Sequence, residues 1–133
     1  MKLLVDTQCW LWMVADPGRL SRSARAIVAS DRHELFLSSV SSWEIAIKHG
    51  LGKLTLPAPP QEFVPTRMQL TRVLPLTVTH THALRVAELP WHHRDPFDRL
   101  LIAQARTESL SLFTADRQLR PYDVPIVWAT GRR

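Results

Sequence analysis

The fold is decided by residues 92–105, which read HHRDPFDRLLIAQA. From Leu100 onward the stretch is apolar on nearly every side of a helix, and such a helix is normally buried. Asp95 is a good N-cap, and Pro96 suits the first helical position because its missing N–H would have no partner there. Asp98 falls in the first turn, near the positive end of the helix. The stretch therefore predicts a buried helix with two carboxylates at its N-terminus.

Two further stretches share one pattern, an apolar strand that ends in an acidic residue. Residues 3–5 lead to Asp6, and residues 110–114 lead to Asp116. Continuous apolar runs of this length are typical of parallel strands buried on both faces. Ligands bind beyond the carboxyl ends of such strands in open α/β sheets. We therefore expect Asp6 and Asp116 at the functional edge of a parallel sheet, although Asp6 also fits a simple helix cap.

The remaining elements are predicted from periodicity and turn residues. Helices are expected near 8–14, 21–30, 61–70 (interrupted by Pro65) and 79–89, and strands at 35–37, 73–76 and 125–128. Trp10 and Trp12 fit a core position better than a partner-binding surface. None of the histidine pairs has the i,i+4 spacing of zinc helices, so a surface or loop role without catalytic duty is predicted for them. His92 and His93 nevertheless stand close enough to the start of the acidic helix to contact a substrate phosphate.

Length and composition indicate one domain. The chain has 133 residues, of which 45% are hydrophobic, enough to bury a core without disulfides. We expect the domain at residues 1–130 and a flexible tail at 131–133. The sequence shows neither a signal peptide nor a membrane span, which predicts a cytoplasmic protein. The single cysteine, Cys9, excludes a multi-cysteine zinc site and is expected to be a small buried hydrophobe.

The charge balance is basic. Seventeen Lys and Arg stand against twelve Asp and Glu, giving a net charge of +5. A basic surface favours a polyanionic partner such as RNA. The basic residues recur singly along the chain, so an ordinary solvated surface explains them equally well.

Glu44 has two explanations. With Ser41 it matches the capping box, in which a glutamate three residues after a serine bonds back to the backbone. Alternatively, its carboxylate stands at the top of a helix that follows a strand and faces the same crevice as Asp6. The two explanations are compatible.

Four acids are predicted at the crevice end of successive elements: Asp6, Glu44, Asp98 and Asp116. Right-handed crossovers can bring them together, where uncompensated carboxylates repel one another. A divalent cation removes that conflict, and all-oxygen ligands favour Mg²⁺ or Mn²⁺ over zinc. An acidic pocket within basic surroundings suggests hydrolysis of phosphodiesters.

Four motifs in order resemble those of PIN-domain nucleases, and more narrowly the VapC-type toxins of type II toxin-antitoxin systems. They are LLVDT (3–7), SSWEIAIK (41–48), RDPFDRLLIAQA (94–105) and LFTAD (112–116). The resemblance implies a single-domain α/β/α sandwich with a central parallel sheet. It also implies a Mg²⁺- or Mn²⁺-dependent endoribonuclease, a homodimer, and inhibition by a cognate VapB-type antitoxin.

By the same resemblance the four acids match the catalytic quartet. Asp6, Asp98 and Asp116 are expected to hold the metal, with Glu44 holding it or its waters, and a metal-activated water is the expected nucleophile. The residues expected to support the site are Thr7, Thr114, Asp95, Lys48 and Arg99. We assign Asp95 to the helix cap. Lys48 and Arg99 are candidates either for phosphate contact or for pairing with the acids.

Three other functional classes can be compared with these residues. A haloacid dehalogenase-type phosphatase needs a second acid two residues after the first, where this chain has Gln8, and a receiver domain needs an acidic pair that is also absent. The alternative that stays open is a catalytically inactive or non-toxin PIN-like RNA-binding module, in which the acids only cap helices.

Overall fold

A five-stranded parallel sheet forms the centre of the computed structural model, which describes residues 1–131. In chain order the strands are β1 (Lys2–Val5), β2 (Glu34–Ser38), β3 (Leu74–Leu76), β4 (Ser111–Thr114) and β5 (Ile126–Trp128). Their order across the sheet is β3-β2-β1-β4-β5, and every neighbouring pair is parallel. The chain winds outward from β1 in one direction and then in the other, so the order reverses between β1 and β4. Ligand sites in open parallel sheets lie at such a reversal.

Helices cover both faces of the sheet. They are α1 (Thr7–Ala15), α2 (Arg22–Ala29), α3 (Ser39–Gly50), α4 (Pro60–Thr71), α5 (His80–Arg85) and α6 (Pro96–Glu108). Short 3₁₀ turns occur at Pro17–Arg19, Val86–Glu88 and Arg117–Leu119.

Two apolar clusters, one on each face of the sheet, account for the layered architecture. Alternate residues of β1 enter different clusters, because successive side chains of a strand point to opposite faces. Leu3 and Val5 pack with Trp10 and Phe63, whereas Leu4 packs with α6. The predicted α/β/α sandwich with a central parallel sheet is confirmed.

Helix α6 forms as its sequence predicts. The Asp95 carboxylate accepts hydrogen bonds from the backbone N–H groups of Phe97 at 2.9 Å and Asp98 at 3.1 Å. Leu101 and Ile102 are fully buried, and each contributes roughly 1.5–3 kcal/mol through burial. The helix ends where Ser109 adopts a left-handed conformation with φ 57°. Its burial holds the N-terminal carboxylates in a fixed place relative to the sheet.

Two helix predictions need correction. Helix α4 continues through Pro65 instead of being interrupted, because the carbonyl that loses its donor belongs to the exposed Gln61 and can bond to water. The predicted helix at 79–89 ends as a helix at Arg85 and continues as a 3₁₀ turn. Pro90 disfavours helical backbone at Leu89, which is extended.

Within residues 1–131, none of the helices has the length and apolar character needed to cross a membrane. Of the predicted tail at 131–133, only Gly131 belongs to this range, and residues 132 and 133 lie outside the described residues.

Candidate metal-dependent active site

A cavity of about 310 Å³ opens beyond the carboxyl ends of β1 and β4, where the strand order reverses. We call it the acidic cavity, and it is lined by Asp6, Thr7, Gln8, Cys9, Trp12, Glu44, Lys48, Asp95, Asp98, Ala115 and Asp116. All four acids of the predicted quartet therefore reach one cavity. They come from four separate parts of the chain: Asp6 and Asp116 follow strands, Asp98 lies in the first turn of α6, and Glu44 lies in the second turn of α3.

Asp6 is both a helix cap and a wall of the acidic cavity. It follows β1 directly and is buried, with 6% of its surface exposed. Its carboxylate caps α1 by accepting a hydrogen bond from the backbone N–H of Cys9 at 2.7 Å. The cap and the position at the carboxyl end of β1 are thus both as predicted, whereas a functional role for Asp6 stays a prediction.

Thr114 ties the ends of β1 and β4 together. Its fully buried hydroxyl donates a hydrogen bond to Asp6 and accepts one from the backbone N–H of Asp116 at 3.0 Å. The Asp116 carboxylate in turn accepts from the backbone N–H of Gln118 at 3.0 Å. One hydroxyl therefore fixes two acids of the cavity relative to each other.

Glu44 is held by side chains and not by a capping box. The Thr7 hydroxyl donates to Glu44 Oε1 at 2.7 Å and lies 2.8 Å from the hydroxyl of Ser41, while Lys48 Nζ lies 2.6 Å from Glu44 Oε2. The predicted capping box is wrong because α3 begins three residues earlier than it requires. Ser38 caps the helix through the N–H of Val40 at 3.0 Å, which leaves Ser41 and Glu44 buried inside the helix.

Burial and the charges of neighbouring acids disfavour ionisation of Asp98 and Asp6. Burial raises the pKa of Asp98 to about 8, with further increases from the charges of Asp95, Asp6, Asp116 and Glu44. Burial also raises the pKa of Asp6, although its hydrogen bonds to Thr114 and Cys9 oppose the shift. The hydrogen bond to Glu44 raises the pKa of Lys48, so its charge is secured. A cation bound among these carboxylates would relieve the repulsion.

The carboxylate oxygens of the acidic cavity suit a cation that keeps part of its hydration shell better than one surrounded only by protein ligands. Within residues 1–131, no three His, Cys, Asp or Glu side chains stand as a ready-made ligand group for a metal ion. The acids instead face the cavity from different walls. Mg²⁺ retains several waters and needs only one or two carboxylates directly, so oxygen donors in this arrangement suit it.

Comparison with known proteins gives a family. The model of the PIN domain family matches residues 3–125. This chain belongs to the PIN domain family. The match covers all four motifs on which the predicted resemblance rests, and that prediction is confirmed.

Two curated relatives are VapC ribonucleases of Mycobacterium tuberculosis. Ribonuclease VapC22 is 31% identical to this PIN domain over 124 residues, which are 92% of this chain and 93% of the relative. Ribonuclease VapC16 is 48% identical over 58 residues, which are 44% of this chain and only 41% of that relative.

Solved structures share the fold of this PIN domain. A VapBC2 complex from Rickettsia felis, bound to a DNA fragment from its promoter, gives a TM-score of 0.70 at 14% identity and covers 96% of this chain and 98% of that chain. A DNA-bound VapBC from Salmonella typhimurium gives 0.69 at 15% identity, with the same coverage of 96% and 98%. At these identities the likeness supports the fold alone.

Arg99 does not take the role predicted for it. Its guanidinium is buried, with 2% of the residue exposed, and donates to the carbonyl of Pro90 at 2.8 Å, the carbonyl of Leu89 at 3.2 Å and the hydroxyl of Tyr122 at 3.0 Å. The exposed ring of Trp91 covers it at 3.9 Å. Phosphate contact or pairing with the acids is therefore excluded for this side chain in the structure. It fastens the segment before α6 to the helix.

Two histidines contact acidic side chains, which their spacing in the sequence does not predict. His82 Nε2 is buried and lies 2.7 Å from Glu108 Oε2, so the predicted surface or loop role is wrong for His82. His93 lies in the loop before α6, as predicted, and its Nε2 is 3.2 Å from Asp98 Oδ2. The only signal for His93 in the sequence was its position five residues before Asp98. Trp10 is fully buried, as predicted.

Replacing Thr114 by valine is expected to weaken the site of this PIN domain. The change keeps the shape but leaves Asp6 and the N–H of Asp116 without the hydroxyl, which should lower stability by about 1–2 kcal/mol. Loss of the group that orients two acids should lower divalent-cation affinity roughly 10–100-fold. Calorimetric titration with Mn²⁺ and urea denaturation measure both. Thr114→Ser keeps the hydroxyl and serves as the control, and equal affinities for the valine and serine variants would contradict this role.

Proposed function

We propose that this PIN domain is a Mg²⁺- or Mn²⁺-dependent endoribonuclease, and that it acts as the toxin of a VapBC-type pair. The observation that carries the proposal is the acidic cavity, where Asp6, Glu44, Asp98 and Asp116 meet at the reversal point of the sheet. The name of VapC22, which matches over nearly its whole length, supports ribonuclease as the activity.

Asp6, Asp98 and Asp116 are the residues that would hold the cation. Their carboxylates reach one cavity from the ends of β1 and β4 and from the start of α6. When bound, such a cation lowers the pKa of water and neutralises the charge that develops on a phosphate under attack. The raised pKa values of Asp98 and Asp6 are consistent with positions that bind a positive charge.

The protein's own side chains organise the rest of the site. Glu44 holds Lys48 at 2.6 Å, and Lys48 remains exposed at the rim of the acidic cavity. Its ammonium group is therefore in a position to contact a backbone phosphate of RNA, while Glu44 is fixed in place by Thr7. Asp95 caps α6 and lies exposed at the rim.

The proposed partners are RNA, a small cognate VapB-type antitoxin and a second copy of this chain. Solved structures with the same fold include VapBC complexes bound to DNA. The net charge of +5 supports binding of RNA around an acidic cavity. The homodimer rests on the family resemblance and stays a prediction.

The basic charge also favours the second candidate, an RNA-binding module without catalysis. Cleavage of total cellular RNA by purified, antitoxin-free protein separates the two. We expect cutting with Mg²⁺ or Mn²⁺ that stops with EDTA, returns when Mn²⁺ is restored in excess, and is lost in Asp6→Asn. The matched control is Asp31→Asn, because Asp31 is exposed and pairs only with Arg72 in the described structure. RNA binding without cutting would favour the second candidate, and equal cutting by all variants would indicate a contaminating nuclease.

A further inference from the structure

A chain of hydrogen bonds runs from the interior of the protein to Asp98. His93 lies in the segment before α6, and its side chain is only 8% exposed. One ring nitrogen, Nε2, is 3.2 Å from Asp98 Oδ2, and the other, Nδ1, is 2.7 Å from the hydroxyl of Tyr122. The next member of the chain is Arg99, whose NH1 group lies 3.0 Å from the same hydroxyl.

The direction of these bonds is fixed by Arg99, because a guanidinium can only donate. The Tyr122 oxygen accepts from Arg99 and also from the backbone N–H of His93 at 3.3 Å. Both of its lone pairs are then used, so its own hydrogen points to one of two remaining acceptors. His93 Nδ1 lies at 2.7 Å and the carbonyl of His93 at 3.5 Å, which favours the ring nitrogen. A ring nitrogen that accepts carries no hydrogen, which leaves the ring hydrogen on Nε2. His93 therefore donates to Asp98.

The members of this chain have little freedom to reverse it. Tyr122 is 3% exposed, and the rings of His92 and His93 contact it edge-on at 4.8 Å and 5.3 Å. The carbonyl of Pro90 holds the same guanidinium nitrogen of Arg99 at 2.8 Å. Donor order selects the tautomer, and ring packing and burial keep the groups that select it in place.

We propose that His93 is a positioning residue for the nuclease site, which donates its Nε2–H to Asp98 and so sets the direction of that carboxylate. The proposal rests on the proposed function, since it treats Asp98 as a carboxylate that holds a divalent cation. A hydrogen bond to one carboxylate oxygen fixes the rotation of the group and directs the other oxygen. Residues that orient ligands in this way typically affect metal affinity or activity 10–100-fold.

Two variants of His93 separate positioning from packing. His93→Phe keeps a ring of similar size but has no donor, and should weaken Mn²⁺ binding and RNA cleavage by roughly 10–100-fold. His93→Gln places an amide N–H at about the position of Nε2, and should retain both properties within about threefold if donation is what matters. Calorimetry measures the Mn²⁺ affinity independently of cleavage. Equal losses in the two folded variants, or no loss in His93→Phe, would overturn the proposal.

The tautomer can be tested without any change at His93. Long-range ¹H–¹⁵N spectra of the wild-type protein should show Nε2 protonated and Nδ1 unprotonated, and Tyr122→Phe should remove this preference. A wild-type ring protonated on Nδ1 would contradict the inference even if the His93 variants failed to fold.

Asp98→Asn distinguishes a failure of the proposed function from a failure of the role proposed for His93. If this variant binds Mn²⁺ and cuts RNA like the wild type, the proposed function fails at this residue. If it loses both properties while His93→Phe keeps them, the function stands and the positioning role of His93 is wrong.

Discussion

Replacing Asp98 by asparagine is expected to lower RNA cleavage by about 10³-fold while making the protein more stable. The loss of activity follows from removing a carboxylate that we propose to hold the cation, an interaction worth several kcal/mol in the transition state, at about 1.4 kcal/mol for each tenfold in rate. The gain in stability follows from the pKa of Asp98, which burial and four neighbouring acids raise to about 8. At neutral pH the Asp98 carboxyl therefore ionises more easily in the unfolded chain than in the folded protein, and this difference favours unfolding.

The sign of the pH dependence follows from the same shift. The unfolded chain releases the Asp98 proton near pH 3.8, and the folded metal-free protein releases it near pH 8. Between these values the folded state binds more protons, so stability falls as the pH rises, by at most about 1.4 kcal/mol for each pH unit. Below about pH 3.8 the raised pKa of Asp98 does not lower the stability of the folded protein. Above about pH 8 the loss of stability that it causes no longer changes with pH.

The effects of Asp98→Asn that oppose this gain in stability are smaller. Asparagine loses the favourable interaction of a carboxylate with the N-terminus of α6, which is worth about 0.3–1 kcal/mol. It keeps an oxygen that can accept from His93. Removing a buried carboxyl that neighbouring acids repel has the larger effect. We expect a net gain of about 2 kcal/mol in the free energy of unfolding at pH 7.

Urea denaturation of metal-free protein at pH 5, 7 and 9 measures this effect. Wild-type stability should decline from pH 5 to pH 7 more steeply than that of Asp98→Asn, and the variant should be the more stable of the two at pH 7. Asp31→Asn is the control, because Asp31 is exposed. A variant that is less stable than the wild type at pH 7 would show that Asp98 is not a repelled acid.

The sheet and the gathering of the acids could be predicted from local signals. An apolar run that ends in an acid, as at Asp6 and Asp116, indicates both a buried parallel strand and the edge where its carboxyl end lies. The Asp95–Pro96 cap marks the start of α6. Once parallel strands alternate with helices, right-handed crossovers bring the strand ends together, so the topology follows from the order of elements.

The partners within the site could not be predicted in this way, because they depend on tertiary contacts. Residues 38–42 contain four serines that could each cap a helix, and the end of β2 at Ser38 selects among them. Arg99 looks like a surface residue of an acidic motif, yet it is buried by a segment that lies up to 13 residues earlier in the chain. His93 approaches Tyr122 across 29 positions.

Arg99→Met should show how strongly the site depends on that buried guanidinium. The substitution preserves much of the apolar stem but leaves the carbonyls of Pro90 and Leu89 and the hydroxyl of Tyr122 without their donor. Unpaired buried groups cost about 1–3 kcal/mol each, offset in part because the buried charge is also removed. We expect a net loss of about 3 kcal/mol in unfolding free energy.

Arg106→Met is the matched control, since Arg106 lies exposed on the same helix and its loss should change stability by less than about 0.5 kcal/mol. Urea denaturation gives the two values, and a loss below about 1 kcal/mol for Arg99→Met would contradict this stabilising role of Arg99.

Arg99→Met also tests the chain of hydrogen bonds that leads from Arg99 through Tyr122 and His93 to Asp98. Without Arg99 the Tyr122 hydroxyl is free to turn, so His93 loses its fixed tautomer and Mn²⁺ affinity should fall in the folded variant. Lower stability with unchanged Mn²⁺ affinity would limit Arg99 to fastening the segment and leave Asp98 independent of it.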